Sequence, residues 1–168
     1  MKFRLGQVLI EEGVLTSEQV TQILENQKQT GEPFGLLCER VFGISPETIE
    51  DAWALQYARL TRSIDPLSES FDDKARALIT RRQAWQFCIL PIRFDGQELM
   101  IATSQKHLRR ALRFATNVIG MPVYFVMAEP VSLGEALCRH YELPGMNPAS
   151  VHQSALDRFF PENDRAAA

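Results

Sequence analysis

The chain is poor in the features that mark membrane, metal or catalytic chemistry. No apolar run approaches the roughly 18–20 residues that span a bilayer, and Met1-Lys2-Phe3-Arg4 lacks the apolar core of a signal peptide. These absences lead to the expectation of a cytoplasmic protein with no direct membrane insertion. Charge of one sign is not in excess: the formal net charge is -3 and the isoelectric point is near 5.7. Such a balance leaves no broad electrostatic footprint for a phosphate backbone, so nucleic acid is not an expected partner. Cysteine is scarce, with Cys38, Cys88 and Cys138 far apart and each in an apolar helix or strand pattern, which reads as buried free thiols. His107, His140 and His152 lack the close spacing with cysteine or carboxylate that metal sites use, so no metal is expected. P-loop, GxSxG and HExxH strings are all missing, so no catalytic residue is assigned and the chain is read as non-enzymatic.

What the sequence does contain is an internal repeat. Arg4 to Gln27 (RLGQVLIEEGVLTSEQVTQILENQ) aligns without a gap to Pro33 to Gln56 (PFGLLCERVFGISPETIEDAWALQ), 29 residues later. Leu5-Gly6 matches Phe34-Gly35, Leu9 matches Cys38, and Leu15-Thr16 matches Ile44-Ser45. Val20 matches Ile49, Leu24 matches Trp53, and Gln27 matches Gln56. Each unit reads as a short helix from the Leu-Gly or Phe-Gly pair, then a second helix capped by Thr16 or Ser45. Gln19 completes a capping box with Thr16, and Pro46 suits the first helical position after Ser45. Within the second helices, Val20, Leu24 and Gln27 stand at i, i+4 and i+7, as do Ile49, Trp53 and Gln56.

Apolar stripes of this kind ordinarily face the core of a small bundle. A core role explains poorly why a polar glutamine ends both stripes at the same phase and why a glycine opens both first helices. Glycine lets a ligand approach the backbone, and the unpaired N–H groups of a first helical turn favour an anion. Arginine stacks on purines and donates to guanine O6 and N7, and glutamine supplies further polar contacts. Two such units suit an elongated ligand with repeated purine and phosphate groups.

The pattern RLGxxLxxxGxxxxxxLxxxLxxQ, given twice around the five-residue spacer Lys28-Gln29-Thr30-Gly31-Glu32, resembles that of the MshEN family of cyclic-di-GMP-binding modules. The first unit carries it at Arg4, Leu5, Gly6, Leu9, Gly13, Leu24 and Gln27, with Val20 as a conservative change. The resemblance implies that these residues contact cyclic di-GMP. In the second unit Phe34, Gly35, Ile49, Trp53 and Gln56 fit. Pro33 replaces the arginine, Cys38 the leucine, and Phe42 the glycine, with Gly43 one place late. Phe42 and Trp53 can either stack on a base or fill the groove. The whole order, a helical repeat and then a small α/β segment, resembles the N-terminal region of type II secretion and type IV pilus ATPases over roughly residues 1–142. In that family the second segment often carries a Leu-x-Val-Ala strand followed by Asp-Pro. Leu99-Met100-Ile101-Ala102 fits the strand here, and Gln105-Lys106 stands in place of Asp-Pro.

With 45% hydrophobic residues in 168, the chain can bury a packed core. The expected fold is α+β: residues 1–60 a bundle of short helices, and 61–142 a small lobe in the order α-β-β-α-β-α. The polar stretch Thr61 to Pro66 reads as a linker. Helix is expected over Asp72–Gln86, a hairpin over Cys88–Phe94 and Glu98–Thr103 around Asp95-Gly96-Gln97, helix over His107–Ile119, strand over Pro122–Met127, and helix over Val131–Tyr141. Arg62, Arg81, Arg82, Arg109, Arg110 and Arg113 make this lobe locally basic, fit for an acidic partner or a phosphate, with a solvated face the reading for the last three. Residues 143–168 read as a tail, poorly ordered at its ends, in which Val151–Phe160 forms a short amphipathic helix. The end at Ala166-Ala167-Ala168 reads as a natural terminus, so a stand-alone chain without an ATPase domain is expected. The function expected is a cyclic-di-GMP receptor or regulatory adaptor with a protein partner in secretion, pilus or signalling machinery. The alternative is a nucleotide-independent interaction module on the same fold.

Overall fold

A computed structural model describes residues 4–152 of the chain. The fold is α+β, with a helical N-terminal part and a small three-stranded sheet. The chain divides into two compact units, residues 1–60 and 61–168.

The first unit is four helices in two pairs: α1 (Leu5–Glu11), α2 (Ser17–Thr30), α3 (Phe34–Phe42) and α4 (Pro46–Leu60). Local chemistry sets their ends. The Thr16 hydroxyl accepts from the Gln19 amide at 3.2 Å while the Gln19 side chain accepts from the Thr16 amide at 2.8 Å, closing the capping box that starts α2. Ser45 does half of this for α4, accepting from the Thr48 amide at 3.2 Å. Gly43 terminates α3 in the left-handed region at φ 65°, which favours a residue without Cβ. The late glycine of the second repeat therefore follows from α3 being longer than α1. Phe42, its last residue, packs half-buried against the core formed by Val8, Leu9, Leu15, Ile23, Leu37, Cys38 and Ala52. Arg59 reaches Glu11 at 2.5 Å and Arg40 reaches Glu32 at 2.5 Å, two exposed ion pairs that tie helices at the rim.

In the second unit, β1 (Leu90–Asp95) pairs antiparallel with β2 (Glu98–Thr103), and β2 pairs parallel with β3 (Val123–Met127). Helix α7 (Leu108–Phe114), continued by a π-helical stretch over Ala115–Ile119, lies between β2 and β3 in the chain, and α8 (Pro130–His140) follows β3. The hairpin turns where Asp95 faces Glu98, with Gly96 at φ 63°. Trp85, Leu90, Ile92, Leu99, Ile101, Phe125, Leu133 and Leu137 are fully or almost fully buried, and the Trp85 indole N–H donates to the Tyr141 carbonyl at 2.7 Å.

Several details depart from expectation. The helix expected over Asp72–Gln86 is two helices, α5 (Asp73–Arg76) and α6 (Arg81–Phe87). Thr80 and Gln83 form a second capping box, which restarts the helix instead of continuing it. Strand β1 starts two residues late because Cys88 caps α6 at φ 48°, its carbonyl held by the Thr103 hydroxyl at 2.8 Å. Thr61–Pro66 is not merely a linker. Ser63 bridges Met127 in parallel, the Thr61 hydroxyl donates to the Phe125 carbonyl, and the Asp65 side chain caps a 3-10 turn over Pro66–Ser68. Cys38 and Cys88 are buried free thiols, whereas Cys138 is only partly covered. Past Leu143, a 3-10 turn over Pro148–Val151 packs on α8, with Ser150 and Val151 buried. Of the helix expected over Val151–Phe160, residues 153–160 lie outside the described residues, and Val151 belongs to that turn. No helix among the described residues is long and apolar enough to cross a membrane.

Candidate functional site

The repeat converges on one groove in the first unit. Its volume is about 440 Å³ and its lining is Arg4, Leu5, Gly6, Gln7, Ile10, Val20, Leu24, Phe34 and Gln56. Both repeats contribute. Arg4 precedes α1 in extended conformation and lines the groove, and among the described residues it pairs with no carboxylate. Leu5, Gly6, Gln7 and Ile10 come from α1, Val20 and Leu24 from α2, Phe34 from the start of α3 and Gln56 from α4. The walls are aliphatic and aromatic, with one guanidinium and two carboxamides as the polar groups. Leu24 lies on the groove wall and is 41% exposed, so its side chain is open to a ligand there. A flat heteroaromatic ring fits such walls, while arginine and glutamine can satisfy its polar edges.

Seven of the residues expected at a site line this groove: Arg4, Leu5, Gly6, Val20, Leu24, Phe34 and Gln56. The others stand elsewhere. Leu9 and Cys38 are fully buried in the bundle core, where burial pushes the Cys38 thiol up to about 11. Gly13 follows α1 at φ 70° with open space around it. Gln27 donates its side-chain N–H to the Glu32 carbonyl at 3.1 Å, bracing the turn between the repeats. Ile49 packs on the core, and the exposed Trp53 leans on Tyr57 with ring centroids 5.7 Å apart. Gln7 and Ile10 were missed because both fall at unspecified positions of the motif, although Gly6 and Ile10 share a helix face at i, i+4.

The glycines that open the first helices also have a packing role. A Cβ on Gly6 would lie 2.9 Å from Cγ1 of Val20 and 3.2 Å from Cζ of Phe34. On Gly35 it would lie 3.0 Å from Cγ2 of Ile49. Gly6 and Gly35 correspond in the repeat, and so do Val20 and Ile49. Each glycine thus lets the first helix of its unit close onto a β-branched residue of the second.

In the other unit, Gln105 and Lys106 are exposed on a 3-10 turn and His107 is buried, its Nδ1 2.6 Å from the Ser104 hydroxyl. Arg110 is not wholly on a solvated face: it is partly buried and donates to the Gln86 carbonyl at 3.3 Å. No group of His, Cys, Asp and Glu suited to a metal occurs among the described residues.

Comparison with known proteins places these features in a wider set. A family model described as the MshEN domain matches residues 53–147, more than half of the chain. That match begins at Trp53 and ends at Asn147, so it covers the second half of α4 and the sheet-containing unit up to that residue, and it leaves out the first repeat and the second as far as Ala52. Among curated relatives, the type IV pilus assembly ATPase PilB of Thermus thermophilus is 26% identical over 142 residues, 82% of this chain and 15% of that protein. PilB of Myxococcus xanthus is 23% identical over 145 residues, 86% of this chain and 25% of that protein. The chain thus spans a quarter or less of the length of these relatives. The solved structure of MshE with cdg is 27% identical, with a TM-score of 0.46 over 83% of this chain and 99% of that one. That of the N-terminal domain of XpsE is 15% identical, with a TM-score of 0.45 over 84% and 99%.

Proposed function

The chain belongs to the MshEN domain family, and from that premise we propose that its first unit is a receptor for cyclic di-GMP that acts by binding and not by catalysis. The observation that carries this reading is the groove in which Arg4, Leu5, Gly6, Val20 and Leu24 of one repeat meet Phe34 and Gln56 of the other. Its volume, about 440 Å³, falls in the range of small-molecule sites. The guanidinium of Arg4 supplies the cation for a guanine edge or phosphate, Gln7 and Gln56 supply amide donors and acceptors, and Leu24 and Phe34 supply faces for a base. Of the fourteen residues proposed for the ligand, those lining the groove are assigned direct contact. Leu9, Gly13, Gln27, Gly35, Cys38, Ile49 and Trp53 are assigned to holding the repeats in register or to meeting the second half of the ligand.

The ligand's effect is regulatory in this reading: occupancy orders the two repeats and alters a surface met by a protein of secretion, pilus or signalling machinery in the cytoplasm. The PilB relatives support pilus machinery as the first place to look. Isothermal titration of the purified chain with cyclic di-GMP tests the proposal. A saturating heat that Arg4→Ala and Gln56→Ala each weaken supports it, and no heat at high micromolar ligand refutes it.

A second reading, a nucleotide-independent interaction module, is favoured by exposed apolar side chains on α4, with Trp53 41% and Leu60 57% exposed. It is distinguished by a protein partner captured equally with and without the nucleotide.

A further inference from the structure

The second unit carries a cleft that the groove and its ligand do not explain. It has a volume of about 500 Å³ and lies among α5, the start of α6 and the end of α8. Three arginines from these three elements, Arg76, Arg81 and Arg139, line it together with His140. In a chain of net charge -3 this is a local concentration of cations. They are not equivalent. Arg76 is held in place, Nη2 on Asp73 at 2.7 Å and Nη1 3.4 Å from His140 Nδ1, while its carbonyl accepts from the Tyr141 hydroxyl at 2.7 Å. Arg81 and Arg139 pair with no carboxylate among the described residues. One fixed guanidinium and two uncommitted ones thus surround a concave space, with buried Ile79 as an apolar patch in its wall.

We propose that this cleft binds the diphosphate group of a small molecule. A flat strip of lysines or arginines would suit an extended acidic chain. Guanidiniums that converge from three elements on one concave volume instead suit a compact, multiply charged oxyanion, whose oxygens can accept the paired N–H donors of more than one fork. Asp73 and Glu142 also line the cleft. Asp73 is engaged by Arg76, and Glu142 sets a limit on the positive field.

His140 gives the site a second readout. Its ring stacks on Phe71 with centroids 3.8 Å apart, and its Nδ1 faces Arg76, which requires Nδ1 to be an acceptor there. The charged groups around it are Arg76 and Asp73 on α5, Arg81 on α6, Arg139 on α8 and Glu142 beyond it. Burial, then Arg76 and Arg139, hold its pKa below the ordinary histidine value. A bound diphosphate offsets the two arginines, so His140 takes up a proton more readily in the complex.

The test is amide and His-ring NMR of the full chain, titrated with inorganic pyrophosphate in about 0.1 M salt. The expected result is saturable shifts centred on Arg76, Arg81 and Arg139, half-maximal below about 1 mM, with the His140 titration displaced to higher pH. The double substitution Arg81→Gln, Arg139→Gln should weaken binding about tenfold or more while the dispersed amide spectrum persists. Adenosine diphosphate as a second probe separates the source: equal affinity assigns recognition to the phosphates alone, and tighter binding adds the apolar wall at Ile79. Shifts that do not saturate, that survive the double substitution, or that a poly-glutamate peptide reproduces at lower concentration than pyrophosphate would overturn the proposal. The readout is taken from residues of the second unit and no cyclic di-GMP is present, so the outcome stands or falls apart from the function proposed above.

Discussion

Gly6 and Val20 touch so closely that a Cβ on the glycine would stand 2.9 Å from the valine Cγ1, inside van der Waals distance. Valine in a helix has one strongly preferred rotamer, so its methyl group cannot swing aside. Gly6→Ala is therefore expected to destabilise the helical unit by about 1–3 kcal/mol despite alanine's better helix propensity. Chemical denaturation should show the loss. The double substitution Gly6→Ala, Val20→Ala should recover part of it, because the second change removes the atom that the first one meets.

A sharper case occurs in the second unit, where a Cβ on Gly134 would lie 2.2 Å from the Pro148 carbonyl oxygen and 2.8 Å from its Cα. Both obstacles are backbone. Gly134→Ala is predicted to lift the Pro148–Val151 turn from α8, exposing Val151, which is 1% exposed in the native chain. Amide exchange at Ser150 and Val151 should rise at least tenfold, a change of about 1.4 kcal/mol or more in local opening.

The two repeats were legible because apolar periodicity, capping residues and glycines recur at one spacing, and each of those signals is local. Thr16 with Gln19 marks the start of α2, and the same Thr-x-x-Gln spacing at Thr80 and Gln83 marks the break between α5 and α6, a local signal that the apolar spacing across Asp72–Gln86 masks. The groove was legible only in part. Arg4, Gly6, Leu24 and Gln56 belong to the repeat, but which glutamine reaches the groove depends on how the helices pack, and packing gives that place to Gln56 while Gln27 turns to Glu32. The role of Ser63 as a bridge to Met127 depends on a residue far along the chain, which no local pattern encodes.

The thiols should differ in reactivity. Burial pushes Cys38 up to about 11 and Cys88 up to about 12, and neither is solvent-accessible. Cys138 is raised as well, by burial and then Glu135 and Glu142, but remains partly accessible. A disulfide reagent at pH 8 is predicted to label Cys138 first in the native chain and the other two only on unfolding, since the thiolate is the reactive form. Mass mapping of the labelled peptides checks the order.

His140 makes stability depend on mild acid. Its folded pKa is lowered, by burial first and then by Arg76 and Arg139, from the ordinary value of 6.5. Above that value it is neutral in both states. As pH falls from 6.5 through the folded pKa, the unfolded chain takes up the proton first, so the stability present at neutral pH is lost. His140→Gln should flatten this part of the stability profile below pH 7, as measured by denaturation at each pH.

The central claim is that the groove between the repeats receives cyclic di-GMP, and amide NMR of the full chain during titration with that nucleotide tests it most directly. The prediction is saturable shifts concentrated at Gly6, Gln7, Ile10, Leu24 and Gln56, absent in the Arg4→Ala chain. Shifts confined to residues of the second unit, or none at high micromolar nucleotide, would contradict it.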